Sequence, residues 1–545
     1  MLTYTPPEHR PQAPTHEYPW LLLLLVFAWL WAGVFSHDLW NPIEPRTYAA
    51  ITESQSVWLP TVLGEAHFHL SPLYLAVAGS LKTLFAPHIM NDYAAARLAS
   101  VVFTVVGLIA SGMASSKLLG RQCGRSTVLI LIGAAGLLPM AHFVSGMSVA
   151  FAGASLCLWG LAVSNRQVVW AALLLGAGGI LLGQTLGWLA TVVVLLLSLS
   201  LLAHPQWFGH RLLTVTVGAM VLILPAFAIQ LFILAKINPA AFQIYVGQHI
   251  FGAWGGLNGI QAAFNLPYYA KHLLWFAFPA YPLAIWSAIR MKGLLRHKLG
   301  ALSVAWLFLF GMWLVFNPQM YQDNLIVLLP ILAILGAAQL DCLRRGVAAF
   351  LNWFGIMAFG AAAVFLWVGF VAIHYGVPSK LAERAAYFSP YHTPDIDIMP
   401  MMVAILFTPA WLFAITRKRI RGRQAVTNWA AGMTLVWALT FTLFADWLNA
   451  AKSYRPIVQQ MQAAMPNGVS GCLKIAPQHH AARLAWQEYG HLPIQNEGDC
   501  AYELHQIHPK EESSHWQKRI VWQGKRPRNK HEAFILLKNE PHSDK

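Results

Sequence analysis

The sequence predicts an α-helical, polytopic membrane protein that carries a small α/β domain after its last apolar helix, and three observations predict it. Of its 545 residues, 57% are hydrophobic and 11% charged, with a mean hydropathy of +0.50, a balance outside the range of soluble folds. Apolar runs able to cross about 30 Å of hydrocarbon recur as far as position 446. From 447 the character changes: His, Gln, Lys and Glu rise, and alternating stretches such as GCLKIA and HEAFILLK read as strands.

The apolar runs predict thirteen helices, at 20–36, 93–115, 127–141, 148–164, 168–184, 186–203, 212–235, 270–289, 300–317, 325–340, 347–373, 399–416 and 426–446. A polar leader, 1–19, precedes the first, and no small-residue cleavage site follows it, so this helix reads as an anchor and not a removable signal. Segment 71–88 is apolar but short, and it holds Pro72, Gly79 and Lys82. If it crossed the membrane, the basic loop 117–125 would fall on the wrong side. It is therefore read as an interfacial helix, with Lys82 snorkelling towards headgroups.

Lys and Arg in short loops set the orientation. Counted from a cytoplasmic start, Lys117, Arg121 and Arg125; Arg166; Arg211; Arg290 to Lys298; Arg344 and Arg345; and Arg417 to Arg423 all fall on one side. The chain then divides into a cytoplasmic 1–19, a transmembrane region 20–446 with outward loops at 37–92 and 236–269, and an outward domain 447–545. Because the basic residues are spread as topology signals, the net charge of +15 argues against nucleic acid as a partner. Anionic membrane lipids or phosphate-bearing substrates account for it. Cys472 and Cys500 are the only cysteines of the outward domain, where an oxidising compartment lets them join.

Acidic residues are scarce before position 450, yet Asp38, Glu44, Glu53 and Glu65 crowd into loop 37–92 beside Arg46, His67 and His69. A carboxylate next to a bilayer must be hydrated, paired, bound to metal or used in chemistry. This loop is the predicted site.

Its motifs are Trp40-Asn41-Pro42-Ile43-Glu44-Pro45-Arg46, Leu63-Gly64-Glu65 through Ser71-Pro72-Leu73, and Ala95-Ala96-Arg97-Leu98. Further along stand Tyr245 to His249, Pro267-Tyr268-Tyr269, Tyr321 to Pro330, Ser453-Tyr454-Arg455-Pro456 and Trp522 to Pro527. In this order they resemble the polyprenyl-phosphate-sugar-dependent membrane glycosyltransferases of the GT-C superfamily. The likeness is greatest to the lipid A 4-amino-4-deoxy-L-arabinose transferase group, related to protein O-mannosyltransferases. The chain departs from that pattern at Ile43-Glu44, where the group has Asp-Glu; at His69-Leu70, where it has Glu-Lys; and at Ser145 to Val149, where it has an Asp.

The resemblance implies an inverting glycosyltransferase of a Gram-negative-type inner membrane. The enzyme would move a sugar from an undecaprenyl-phosphate donor to a lipid A-like lipid, a glycan or a protein on the periplasmic face. Such transfer needs a base, positive charge on the departing phosphate and a groove for the lipid. Glu44 is the expected base, with pairing to Arg46 as its bland alternative, and Asp38 is the expected substitute for the missing acid. Arg46, Lys82 and Arg97 are the expected phosphate holders, and Tyr321, with Gln319, Gln322 and Asn324, the expected sugar contacts. His69, His249 and Glu65, with His67, are candidates for a divalent metal such as zinc. Two other readings are a lipid-linked sugar transporter and a carrier-binding protein without catalysis. Transport favours ionisable or broken helices at mid-membrane, which these runs lack.

Overall fold

A computed structural model of the chain describes residues 19–40, 43–86, 88–250, 264–317, 320–416, 421–465, 472–495, 500–507, 520–526 and 532–539, apart from the side chains of Gln248, His249 and Arg421. Helix α1 (Pro19–Trp31) leads into an outer layer made of α2 (Ile43–Glu53), the strands β1 (Thr61–Val62) and β2 (Glu65–Ala66), and α3 (Pro72–Phe85). The hairpin turns on Leu63 and Gly64, both at positive φ (56° and 81°), which is the backbone a tight two-residue hairpin loop demands. Helix α3 starts where its sequence provides a start: Ser71 accepts from the Tyr74 amide and Pro72 fills the first turn.

The bundle continues through α4 (Asp92–Leu119), α5 (Arg121–Ile132), α6 (Leu137–His142), α7 (Met147–Val163), α8 (Val168–Leu186), α9 (Trp188–Leu201), α10 (His210–Ile237) and α11 (Pro239–Tyr245). It is completed by α12 (Leu266–Phe276), α13 (Ala280–Arg290), α14 (Lys298–Phe316), α15 (Leu329–Ala338), α16 (Arg345–Tyr375), α17 (Ser379–Phe388), α18 (Ile398–Thr416) and α19 (Arg421–Leu443). All thirteen apolar runs are helical. Among the described residues, six helices are long and apolar enough to cross a membrane alone, or up to eight with the bent pairs α12–α13 (99°) and α19 with the helix after it (72°). The run at 127–141 is split into α5 and α6, and the run at 325–340 opens with a tighter turn, Gln322–Val327.

Small residues let α7 and α8 touch almost backbone to backbone. A Cβ on Gly160 would lie 2.9 Å from the Ala171 carbonyl, and one on Gly178 would lie 2.6 Å from that of Gly153. Close approach of this kind supplies the packing that hydrophobicity cannot supply between helices in lipid. Several buried hydroxyls pair across the bundle, as in Ser111–Ser155 and Thr127–Ser115, both 2.8 Å.

The tail holds α20 (Ala445–Lys452), α21 (Arg455–Ala464), β3 (Leu473–Ile475), α22 (His480–Gly490), β4 (Ile494–Gln495), β5 (Tyr502–Ile507), β6 (Ile520–Lys525) and β7 (Ala533–Lys538). Its sheet runs in the order β4-β3-β5-β7-β6, parallel at β3's two edges and antiparallel beyond. Trp486 of α22 and Val458 and Met461 of α21 close over Leu473, Leu504, Phe534 and Leu536. Cys472 and Cys500 are joined across the starts of β3 and β5. Leu484 of α22 enters a second core with Leu39, Tyr48, Val62, Tyr74, Ala96 and Val149, so the tail, the outer layer and the ends of α4 and α7 share one apolar joint.

Candidate functional site

Two polar centres lie in the outer layer, one closed and one open. The closed centre is the pair Glu44 and Arg97, both with fully buried side chains and 2.9 Å apart at Oε1 and Nε. Glu44 also accepts from the Trp40 amide (2.9 Å) and the Val144 amide (3.0 Å). Arg97 donates to the carbonyls of His37 (2.7 Å), Asp38 (2.9 Å) and Val34 (3.4 Å). The pair thus ties the exit of α1 to α2, α4 and the α6–α7 connection. His37, caged by Trp40, Phe143 and Phe441, completes the centre 3.5 Å from Glu44. Burial first, and the Arg97 charge second, hold its imidazole well below the usual range.

This geometry bears on three expectations. Glu44 does not pair with Arg46, because residues two apart on a helix point to different sides: Glu44 faces the core and Arg46 is exposed. Both oxygens of Glu44, the expected base, are engaged and shielded inside this centre. Arg97, expected at the phosphate, is spent on the same centre. Asp38 is held by Arg455 through two contacts, 2.8 and 3.0 Å, which fasten α21 to the exit of α1. Lys82 lies 3.2 Å from Asp92 and 4.9 Å over the Tyr48 ring, a contact between α3 and α4.

The open centre is a set linked by electrostatic reach: Arg46, the imidazoles of His67 and His69, Glu65, and His480 and Arg483 of α22. Their charges act on one another: burial, Arg46 and His480 lower the His67 pKa while Glu65 raises it. Desolvation, then His67, then Arg46 bring His69 down to about 4. Arg483 is 3% exposed, and among the described residues its Nε and Nη1 have no hydrogen-bond partner. Glu65 and Glu53 act on it only at range, and Glu53 is already engaged by the Leu63 amide (2.7 Å) and Gln487 (2.9 Å). Arg483 was invisible in the sequence reading; its only signal is a lone arginine on the apolar face of HAARLAWQEYG.

Phe68, between the two imidazoles, leads into a narrow cleft of about 20 Å³. Trp58 and Leu70 line it from the outer layer, Gln184 and Trp188 from the α8–α9 junction, and Gln230 and Tyr245 from α10 and α11. The Tyr245 hydroxyl receives Trp188 Nε1 (3.1 Å) and Gln230 Nε2 (3.5 Å), while the buried Gln230 Oε1 has no partner. Aromatic faces beside amides suit a ligand with both apolar and hydroxyl-bearing parts.

At another point on the bundle's end, Tyr321 is half exposed and precedes a buried Asn324. Between them Asp323, which the sequence reading passed over, has its pKa pushed up to about 6 by burial. Gln319 and the His249 side chain lie outside the described residues. Among the described residues no three His, Cys, Asp or Glu side chains converge on a metal position. The expected metal set of His69, Glu65 and His249 includes a side chain outside the described residues, and the Arg46 charge acts on His69.

The fold and these centres define a multi-pass membrane protein. Two solved structures share the fold over almost their whole length. ArnT from Cupriavidus metallidurans in the apo state aligns over 95% of this chain and 97% of its own, at 14% identity and a TM-score of 0.60. The same protein bound to undecaprenyl phosphate aligns over 95% and 98%, at 16% identity and a TM-score of 0.58. No protein-family model matches the chain, and no curated protein is similar enough to count as a relative.

Proposed function

We propose that the protein binds a polyprenyl-phosphate-linked sugar at the outward face of a bacterial inner membrane and transfers the sugar to an envelope lipid, glycan or protein, its tail domain lying in the periplasm. The observation that carries this reading is the open centre. Two guanidinium groups and two imidazoles meet beside an aromatic and amide cleft, on the fold of a protein solved with undecaprenyl phosphate. Arg46 and Arg483 hold the phosphate oxygens, guanidinium being the side chain best shaped for them. The acceptor oxygen attacks the anomeric carbon from the face opposite the phosphate. The bond from that carbon to the phosphate oxygen breaks, and the charge left on the carrier is taken up by the two arginines. The neutral imidazole of His67, in the same centre, takes the acceptor's proton. Glu44, Arg97 and Asp38 act as positioning residues that fix α2 and α4.

A second reading, carrier binding without transfer, is favoured by Ile43, which stands where the resemblance puts an acid, and by the closed state of Glu44. One experiment separates the two. Purified protein is given an undecaprenyl-phosphate sugar and a membrane extract as acceptor, and mass spectrometry follows both envelope lipids and glycoproteins. Transfer that is lost in His67→Gln and Arg46→Ala supports the enzyme. Carrier binding with no product from wild type supports the second reading, and absence of carrier binding overturns both.

A further inference from the structure

The end of the bundle remote from these centres carries a different polar feature. Helix α4 bears Arg97 near its start and Lys117 in its last turn, and at 1.5 Å per residue the two lie about 30 Å apart along the axis. Around Lys117 is a cavity of about 220 Å³, which Arg166 enters from the α7–α8 connection and Lys298 from the first turn of α14. No carboxylate lines it. Among the described residues none of the three cations makes an ion pair; Lys298 Nζ lies 4.3 Å over the Trp207 ring, and Arg166 sits within electrostatic reach of Lys298. Arg211 braces the connection by donating to the Asn165 carbonyl (2.6 Å). Asp341, in the short turn between α15 and α16, is engaged by Arg423 and is not available to neutralise them.

A bias of Lys and Arg to one membrane side explains why these residues occur in these loops. It does not explain why three of them, from segments far apart in the chain, converge in one concavity where their repulsion is left unbalanced. Immediately beyond the cavity, α8 presents Val169, Trp170 and Leu173 as an exposed apolar strip (75%, 46% and 42%). A headgroup in the cavity would lay its acyl chains along that strip.

We propose that Lys117, Arg166 and Lys298 form a binding site for a phosphate-bearing anion, supplied by the headgroup of an anionic phospholipid. Basic pockets between membrane helices favour such headgroups over zwitterionic ones. Full-length protein is reconstituted in nanodiscs or detergent, and its preference for phosphatidylglycerol over phosphatidylcholine is read by native mass spectrometry, with inorganic phosphate as a separate arm. Wild type is expected to prefer the anionic lipid, and a Lys117→Gln/Arg166→Gln/Lys298→Gln variant to lose about tenfold of that preference. A control, Arg121→Gln/Arg125→Gln/Lys292→Gln, removes the same charge outside the cavity and is expected to keep it. Retained undecaprenyl-phosphate binding shows that each variant is folded, and the single Lys117→Gln variant, expected to lose two- to threefold, stands in if the triple one is not. Displacement of lipid by millimolar inorganic phosphate would assign the site to the free anion. Equal preference in wild type, triple variant and control would overturn it.

Discussion

Arg97 and Arg483 are both arginines withdrawn from water, and their surroundings are opposite. Around Arg97 every nitrogen meets an oxygen: the Glu44 carboxylate and three carbonyls of the chain leaving α1. Around Arg483, 3% exposed, Nε and Nη1 meet none among the described residues, and Glu65 and Glu53 act on it through space. A charge with a full set of partners is part of the framework. A charge kept from water without one costs the fold stability and marks where an anion belongs.

The contrast is broken or sharpened by a graded set of variants. The largest effect is expected from Glu44→Ala, which strands a buried guanidinium and should cost about 3–5 kcal/mol. It should appear as a much lower melting temperature in detergent, and a wild-type melting curve would remove Glu44 from the framework. Next, Cys472→Ser/Cys500→Ser opens a loop with a sequence separation of 28 and should cost about 3–4 kcal/mol in the chain-entropy model, seen as earlier proteolysis of the tail that carries Arg483. Arg483→Met should reverse the pattern of Glu44→Ala. Stability is expected to hold or rise, while binding of undecaprenyl phosphate falls about tenfold; a loss of stability like that of Glu44→Ala would erase the distinction.

Smaller effects follow from the imidazoles. Burial lowers His67, and brings His69 to about 4, so the folded chain favours their neutral forms. Below about 6.5, the ordinary imidazole value, the unfolded chain binds more protons, and stability is expected to fall as the pH drops from there towards 4. Carrier phosphate favours the charged ring, so its binding should strengthen over the same window; His67→Gln/His69→Gln should flatten both profiles, and unchanged profiles would remove the imidazoles from the site. The smallest effect, about 1 kcal/mol or less, is expected for Asp38→Asn, whose partner Arg455 is 42% exposed.

The helices were legible because each apolar run is long and bounded by Gly, Pro or charge, and all of them fold as helices. The bends were not, since the 99° turn between α12 and α13 lies inside a run with no polar break. The sequence marks a helix in the outer layer only at 71–88 and leaves the stretch around Glu44 and Arg46 as loop, and that decides the expectation for the two. In an extended loop the two can pair, whereas the helix that forms from Ile43 sends them to different sides. Arg97 as partner lay 53 residues away and had no local signature. Arg483 and Asp323 were missed for a related reason: the first sits in a helix typical of a small soluble domain, the second among polar residues at a helix start, and only burial distinguishes them.

Arg455 on Asp38, Gln487 on Glu53, Glu488 on Tyr93 and Tyr489 on the Leu39 amide all join the last hundred residues to the first hundred. During synthesis the early helices can enter the bilayer long before those partners exist. The outer layer is therefore finished only when the end of the chain has been made and docked. A polypeptide stalled or cut before α21 would keep its early helices and lack every one of these ties.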